Sequence, residues 1–125
     1  MVGDRMKIIA VDNHIGHLAR LKNYLVEICS CEESIVGFTD PLLAVKYCVN
    51  NNIDILFTEV DMRGIDGFTL INLIRKYNSK MVINIVTQTN EYQQKANECN
   101  VSRYILKPVS IETLKDILEE ELKKY

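Results

Sequence analysis

Residues Asp54–Gly67 read DILFTEVDMRGIDG, an apolar run that ends in a cluster of acids and then in an Asp-Gly pair. The apolar part, Ile53 to Phe57, suits a strand covered on both faces, as in a parallel sheet. Glu59 and Asp61 then stand just past its carboxyl end. After Asp66-Gly67, Leu70, Leu73, Ile74 and Tyr77 recur at helical spacing, so the segment reads as strand, acidic loop and helix.

Outward from this stretch the same unit repeats. Strands are predicted at Lys7 to Val11, Ile35 to Phe38, Met81 to Val86 and Tyr104 to Leu106, alternating with segments of helical period. The first helix, about Ile15 to Ile28, carries Leu18, Leu21, Leu25 and Ile28 on one face. The second begins after Asp40 with Pro41 at its first position. The fourth, Asn90 to Cys99 (NEYQQKANEC), has few apolar anchors and several poor helix formers, which predicts marginal stability. Ser110 caps the fifth, with Ile111, Leu114, Ile117, Leu118 and Leu122 facing the core. Strand and helix in strict alternation predict one doubly wound α/β domain over residues 1–125.

Composition narrows the partners. The chain is 47% hydrophobic and 26% charged, with a formal net charge of -2, and its Lys and Arg are scattered among acids. Direct nucleic-acid binding by this domain is therefore not expected. Its apolar runs are far shorter than the roughly 20 residues of a membrane span, and Met1 to Met6 (MVGDRM) has no secretory apolar region, so a cytoplasmic location is expected. There Cys29, Cys31, Cys48 and Cys99 are expected as reduced thiols.

Parallel sheets with right-handed crossovers bind ligands beyond the carboxyl ends of their strands. At those ends stand Asp12-Asn13, Glu59 with Asp61, Thr87, and Lys107-Pro108. Acidic oxygens suit a hard divalent cation such as Mg²⁺, while a hydroxyl and an ammonium suit phosphoryl oxygens. One polar pocket made of Asp12, Asn13, Glu59, Thr87 and Lys107 is thus predicted.

IIAVDN, DILFTEVDMRGIDG, NIVTQT and SRYILKPVS occur in the order and spacing that resemble the receiver domains of two-component response regulators. The resemblance covers essentially the whole chain. It implies a flavodoxin-like fold, a five-stranded parallel sheet of order 2-1-3-4-5 with five helices, and a CheY-like place in a phosphorelay. FTDPLLAVKY and NEYQQKA are most similar to receivers that couple to LytTR-type DNA-binding domains, which implies transcription regulation by an output part not found within these residues. The resemblance further implies a histidine kinase or another signalling protein as partner. It also implies an output contact, or a homodimer, through the face of the fourth helix, fifth strand and fifth helix. Thr87 would contact a phosphoryl group, Tyr104 would report the switch by its rotamer, and Lys107-Pro108 would often be cis.

Three positions depart from the family. Receivers follow their first strand with two acids, the second a direct Mg²⁺ ligand, where this chain has Asp12-Asn13. The phosphoacceptor aspartate falls at Glu59, and the proline of a usual Met-Pro pair is Arg63 after Met62. Asn13 offers only a neutral oxygen, so Asp12, Asn13, Glu59 and the backbone carbonyl of Asp61 form a weakened Mg²⁺ site. Glutamate displaces the nucleophile, and a misplacement near 1 Å costs on the order of 10²-fold in phosphoryl transfer. The expectation is a degenerate receiver, not an enzyme beyond weak autophosphorylation or autodephosphorylation. In it a forward-reaching Glu59 carboxylate partly imitates a phosphoryl group toward Thr87 and Lys107.

Other readings make distinct demands. A working receiver would take the phosphoryl group on Glu59 or Asp61. A thiol redox module at Cys29 and Cys31 needs depressed thiol pKa values. His14 and His17 are expected as exposed helix residues, with a transition-metal site alongside Asp12 or Glu59 as the sharper alternative. The run EEELKK, Glu119 to Lys124, is expected as a solvated helix face with i,i+4 pairs.

Overall fold

The computed structural model describes residues 6–124, so most of the N-terminal stretch read above lies outside the described residues. The first half of the chain forms β1 (Ile8–Val11), α1 (Ile15–Cys29), a 3₁₀ turn (Glu32–Ser34), β2 (Ile35–Phe38) and α2 (Pro41–Asn50). The second half forms β3 (Ile55–Thr58), α3 (Gly67–Arg75), β4 (Val82–Thr87), α4 (Gln93–Glu98), β5 (Arg103–Leu106) and α5 (Ile111–Leu122). All strands are parallel, in the order β2-β1-β3-β4-β5. The doubly wound order and the five helices follow the sequence reading, with strand ends shifted by one or two residues.

Alternation along the central strands feeds two cores. Ile8 and Ala10 of β1, with Ile55 and Phe57 of β3, pack under α1 and α5 against Leu18, Leu21, Leu25, Leu114 and Leu118. Ile9, Val11 and Leu56 point the other way, toward Ala44, Phe68, Ile71, Ile74 and Ala96 of α2, α3 and α4. Residues of a strand face opposite sides in turn, so one apolar run serves both layers.

Side-chain caps set the helix starts. His14 Nδ1 accepts from His17 N–H at α1, Asp40 from Leu42 N–H at α2, Asp66 from Thr69 N–H at α3, and Ser110 from Thr113 N–H at α5. Each satisfies one of the donors that a helix leaves unpaired at its N-terminus. Pro41 sits at the first turn of α2, where its missing N–H costs nothing.

Three expectations are corrected. Tyr77 lies beyond the end of α3 and is exposed, while Ile71 takes a buried place on that helix. The α4 helix is six residues long, shorter than Asn90 to Cys99. It is held from outside: Arg75 donates to the carbonyls of Cys99 (2.6 Å) and Asn100 (3.0 Å), and Ala96 is fully buried. Third, Glu121 of EEELKK is buried, receiving Arg103 at 2.6 Å and Lys124 at 3.0 Å. Arg103 also donates to Asn84 of β4, so the run is partly an anchor of α5 to the sheet. Among the described residues no helix is long and apolar enough to cross a membrane.

Candidate functional site

Backbone pairing places the pocket residues before any side chain acts. Asp12 N–H donates to Phe38 O at the end of β2, Glu59 N–H to Val11 O, and Lys107 N–H to Thr87 O. Asp12, Glu59, Thr87 and Lys107 therefore leave neighbouring strand ends side by side. With Asn13, Asp61, His17, Gln88 and Glu91 they line a pocket of about 360 Å³.

Lys107 is its centre. The Nζ lies 2.7 Å from Asp12 Oδ2, 2.7 Å from Glu59 Oε2 and 3.0 Å from His17 Nδ1. An ammonium has three protons, and these three acceptors use them all. The three charged side chains are each 10% exposed or less, so the ion pairs are shielded from bulk water. Acceptance at Nδ1 fixes His17 as its neutral Nε2–H form. Partial burial, then Lys107 and His14, push the His17 pKa below its ordinary value. His17 is thus a pocket residue, not a bystander on an exposed helix, and it stacks on His14 at 3.7 Å between ring centres. The start of α1 put His17 within reach of the pocket mouth, but its contact with Lys107, 90 residues on, is set by the tertiary structure.

The remaining oxygens are also engaged. Asp12 Oδ1 accepts from His14 N–H at 2.9 Å. Glu59 Oε1 folds back onto Val60 N–H at 2.7 Å and Asp61 N–H at 3.4 Å. The extra methylene lets the carboxylate reach its own loop and Lys107 together. Thr87 is buried beside it, yet among the described residues no hydrogen bond joins Thr87 to Glu59. Asn13 donates from Nδ2 to Thr39 O (2.7 Å) and accepts at Oδ1 from Arg63 N–H. Asp61 accepts from the Tyr92 hydroxyl, which raises the Tyr92 pKa.

A cation drawing on Asp12, Glu59 and Asn13 would compete with Lys107 and with the Arg63 N–H for their oxygens. The histidines make no separate metal site: among the described residues no group of three His, Cys, Asp or Glu can hold an ion. Burial, then the neighbouring Cys31, push the Cys29 pKa up, the opposite of what a nucleophilic thiol at that position needs.

Further out, the Tyr104 hydroxyl donates to Thr89 O, linking β5 to the loop between β4 and α4. Burial raises its pKa. The Lys107-Pro108 peptide is cis.

A 2-1-3-4-5 parallel sheet whose strand ends gather acid, hydroxyl and lysine defines the receiver class of α/β signalling domain. Residues 8–119 match the response regulator receiver domain family, and the chain belongs to it. It is 28% identical over 120 residues to protein MrkE of Klebsiella pneumoniae, covering 96% of this chain and 44% of that protein. To sensory transduction protein LytT of Bacillus anthracis it is 30% identical over 121 residues, covering 96% of this chain and 47% of the other. The chain thus spans about half the length of the curated relatives it matches. The solved response regulatory domain of mrkE from Klebsiella pneumoniae superposes with a TM-score of 0.82 at 22% identity, covering 96% of this chain and all of that one. That likeness shows the fold.

Proposed function

We infer that this receiver of two-component signalling is degenerate, a protein-interaction switch whose pocket is set by Glu59 without phosphoryl transfer. The observation that carries the reading is the engagement of both Glu59 oxygens, Oε2 by Lys107 and Oε1 by the backbone of Val60 and Asp61. A nucleophile needs an oxygen held in line with the phosphorus, and positioning supplies most of the catalysis in this chemistry. Lys107 answers to the glutamate as it would to a phosphoryl group, while Thr87 does not, so any mimicry is partial. The Mg²⁺ site of Asp12, Asn13, Glu59 and the Asp61 carbonyl is weak for the same reasons, and the domain is regulatory, not an enzyme.

Receivers work with histidine kinases and output domains. For this chain we assign the output contact, or a homodimer, to the α4–β5–α5 face, where Leu106 is exposed and Tyr104 reaches Thr89. The FTDPLLAVKY stretch, similar to receivers that couple to LytTR-type DNA-binding domains, supports transcription as the regulated process, in the cytoplasm.

Acetyl phosphate with Mg²⁺, read by intact mass, tests the reading. Wild type is expected to gain no phosphoryl adduct, and Glu59→Asp to gain some. A robust wild-type adduct lost in Glu59→Gln would overturn it, and an adduct mapped to Asp61 would favour a working receiver with a shifted acceptor.

A further inference from the structure

Two of the departures from the receiver pattern, at positions 13 and 63, meet in space. Residues 13 and 63 are 50 apart in sequence, yet the Arg63 peptide N–H donates to Asn13 Oδ1. Proline, the family's residue at 63, has no N–H to give. Asn13 Nδ2 donates in turn to Thr39 O at 2.7 Å, a bond that an aspartate, accepting only, would not make. The amide at 13 and the missing proline at 63 are therefore two halves of one contact.

That contact spans three loops: Asn13 lies between β1 and α1, Thr39 between β2 and α2, and Arg63 between β3 and α3. In receivers a Mg²⁺ ion joins two of these loops, through the second acid after the first strand and the acid and carbonyl after the third. We propose that Asn13 is a positioning residue, a neutral clamp that replaces the divalent cation as the cross-link between the loops around this pocket. Its two bonds need no counter-ion, and they occupy its oxygen with the Arg63 N–H. The Arg63 side chain is exposed and contributes nothing to the clamp; only its peptide N–H does. The clamp goes beyond the degenerate reading, since it concerns what holds the loops and not what Glu59 can accept.

Amide hydrogen exchange read by NMR tests it on the whole chain, in Mg²⁺ and in chelator. In wild type the Arg63 amide is expected to be protected, at the same rate in both buffers. Asn13→Ala is expected to speed its exchange by roughly tenfold, the equivalent of one hydrogen bond of ordinary net strength. Arg63→Ala keeps a peptide N–H and is expected to keep the protection at position 63. Asn13→Asp retains the acceptor, so it is expected to keep that protection even if Asn13→Ala fails to fold. An unprotected Arg63 amide in wild type, protection unchanged in a folded Asn13→Ala, or protection that appears only with Mg²⁺ would overturn the clamp. None of these readouts depends on acetyl phosphate labelling, so the two readings fail separately.

Discussion

The backbone of Gly67 lies directly against that of Glu59. A Cβ built at Gly67 would stand 2.3 Å from the Glu59 carbonyl oxygen and 2.9 Å from Val60 Cα, while Gly67 N–H donates to Val60 O at 2.9 Å. The acidic loop returns to α3 so closely that no side chain fits. Gly67→Ala must therefore push backbone away from backbone, and overpacking of this kind costs about 1–3 kcal/mol. Urea unfolding should show that loss, and amide shifts should move at Glu59 and Val60. Unchanged shifts there would mean the loop yields elsewhere.

Lys107 supplies the positive charge for two buried carboxylates. Lys107→Met leaves Asp12 and Glu59 adjacent and unpaired, and breaking a buried ion pair from one side costs about 3 kcal/mol or more. Glu59→Gln keeps the shape and leaves Lys107 paired with Asp12, so its cost should be nearer about 1 kcal/mol. Urea midpoints at neutral pH compare the two. A Lys107→Met as stable as Glu59→Gln would remove Lys107 from its place as the pocket's tie.

His17 gives the pocket a pH dependence of definite sign. Its folded pKa lies below the ordinary value of 6.5, so the unfolded chain takes up the proton first. Its contribution is full above that value, is lost as pH falls from it toward the folded pKa, and changes no further below. An NMR titration should place the His17 midpoint below 6.5, and Lys107→Met should move it upward. A midpoint at or above 6.5 in wild type would contradict the Lys107 contact.

Glu121 acts at the start of β5, away from the pocket, and at lower pH. Burial alone would raise its pKa, but hydrogen bonds from Arg103 and Lys124 outweigh it and lower the value. Its contribution is therefore present above the ordinary glutamate value of 4.5 and is lost as pH falls through the lower folded pKa. Stability measured against pH should show this acid loss in wild type and a shallower one in Glu121→Gln. Arg103→Ala, which strips the buried carboxylate of its β5 partner, should be more damaging at pH 7 than Glu120→Ala on the exposed neighbour. Equal costs would show that the network does not anchor α5.

A tighter Mg²⁺ affinity is expected in Asn13→Asp, because a charge is added beside Asp12 and Glu59. Titration followed by amide shifts at Asp12, Glu59 and Asp61 measures it. No gain over wild type would mean that Lys107, not the missing charge, keeps the cation out.

The strands and four of the helices were legible in the sequence because their signals are local. Apolar runs such as Ile55–Phe57 and caps such as Asp40, Asp66 and Ser110 are decided by residues within a turn or two. Parallel topology then brought Asp12, Glu59, Thr87 and Lys107 together without further information, since every strand delivers its carboxyl end to one edge. The α4 helix shows where local signals stop: its own sequence is weak, and Arg75 and the buried Ala96 supply what it lacks.

Tertiary structure alone decided which side chain meets which. His17 on Lys107, Arg63 on Asn13 and Arg103 on Glu121 join residues 90, 50 and 18 apart, and no periodicity or motif encodes such pairs. Asn13 and Arg63 were visible from the start as two separate departures from a family pattern. That they are a single hydrogen bond depends on the distance between two loops, which packing sets once the sheet has formed.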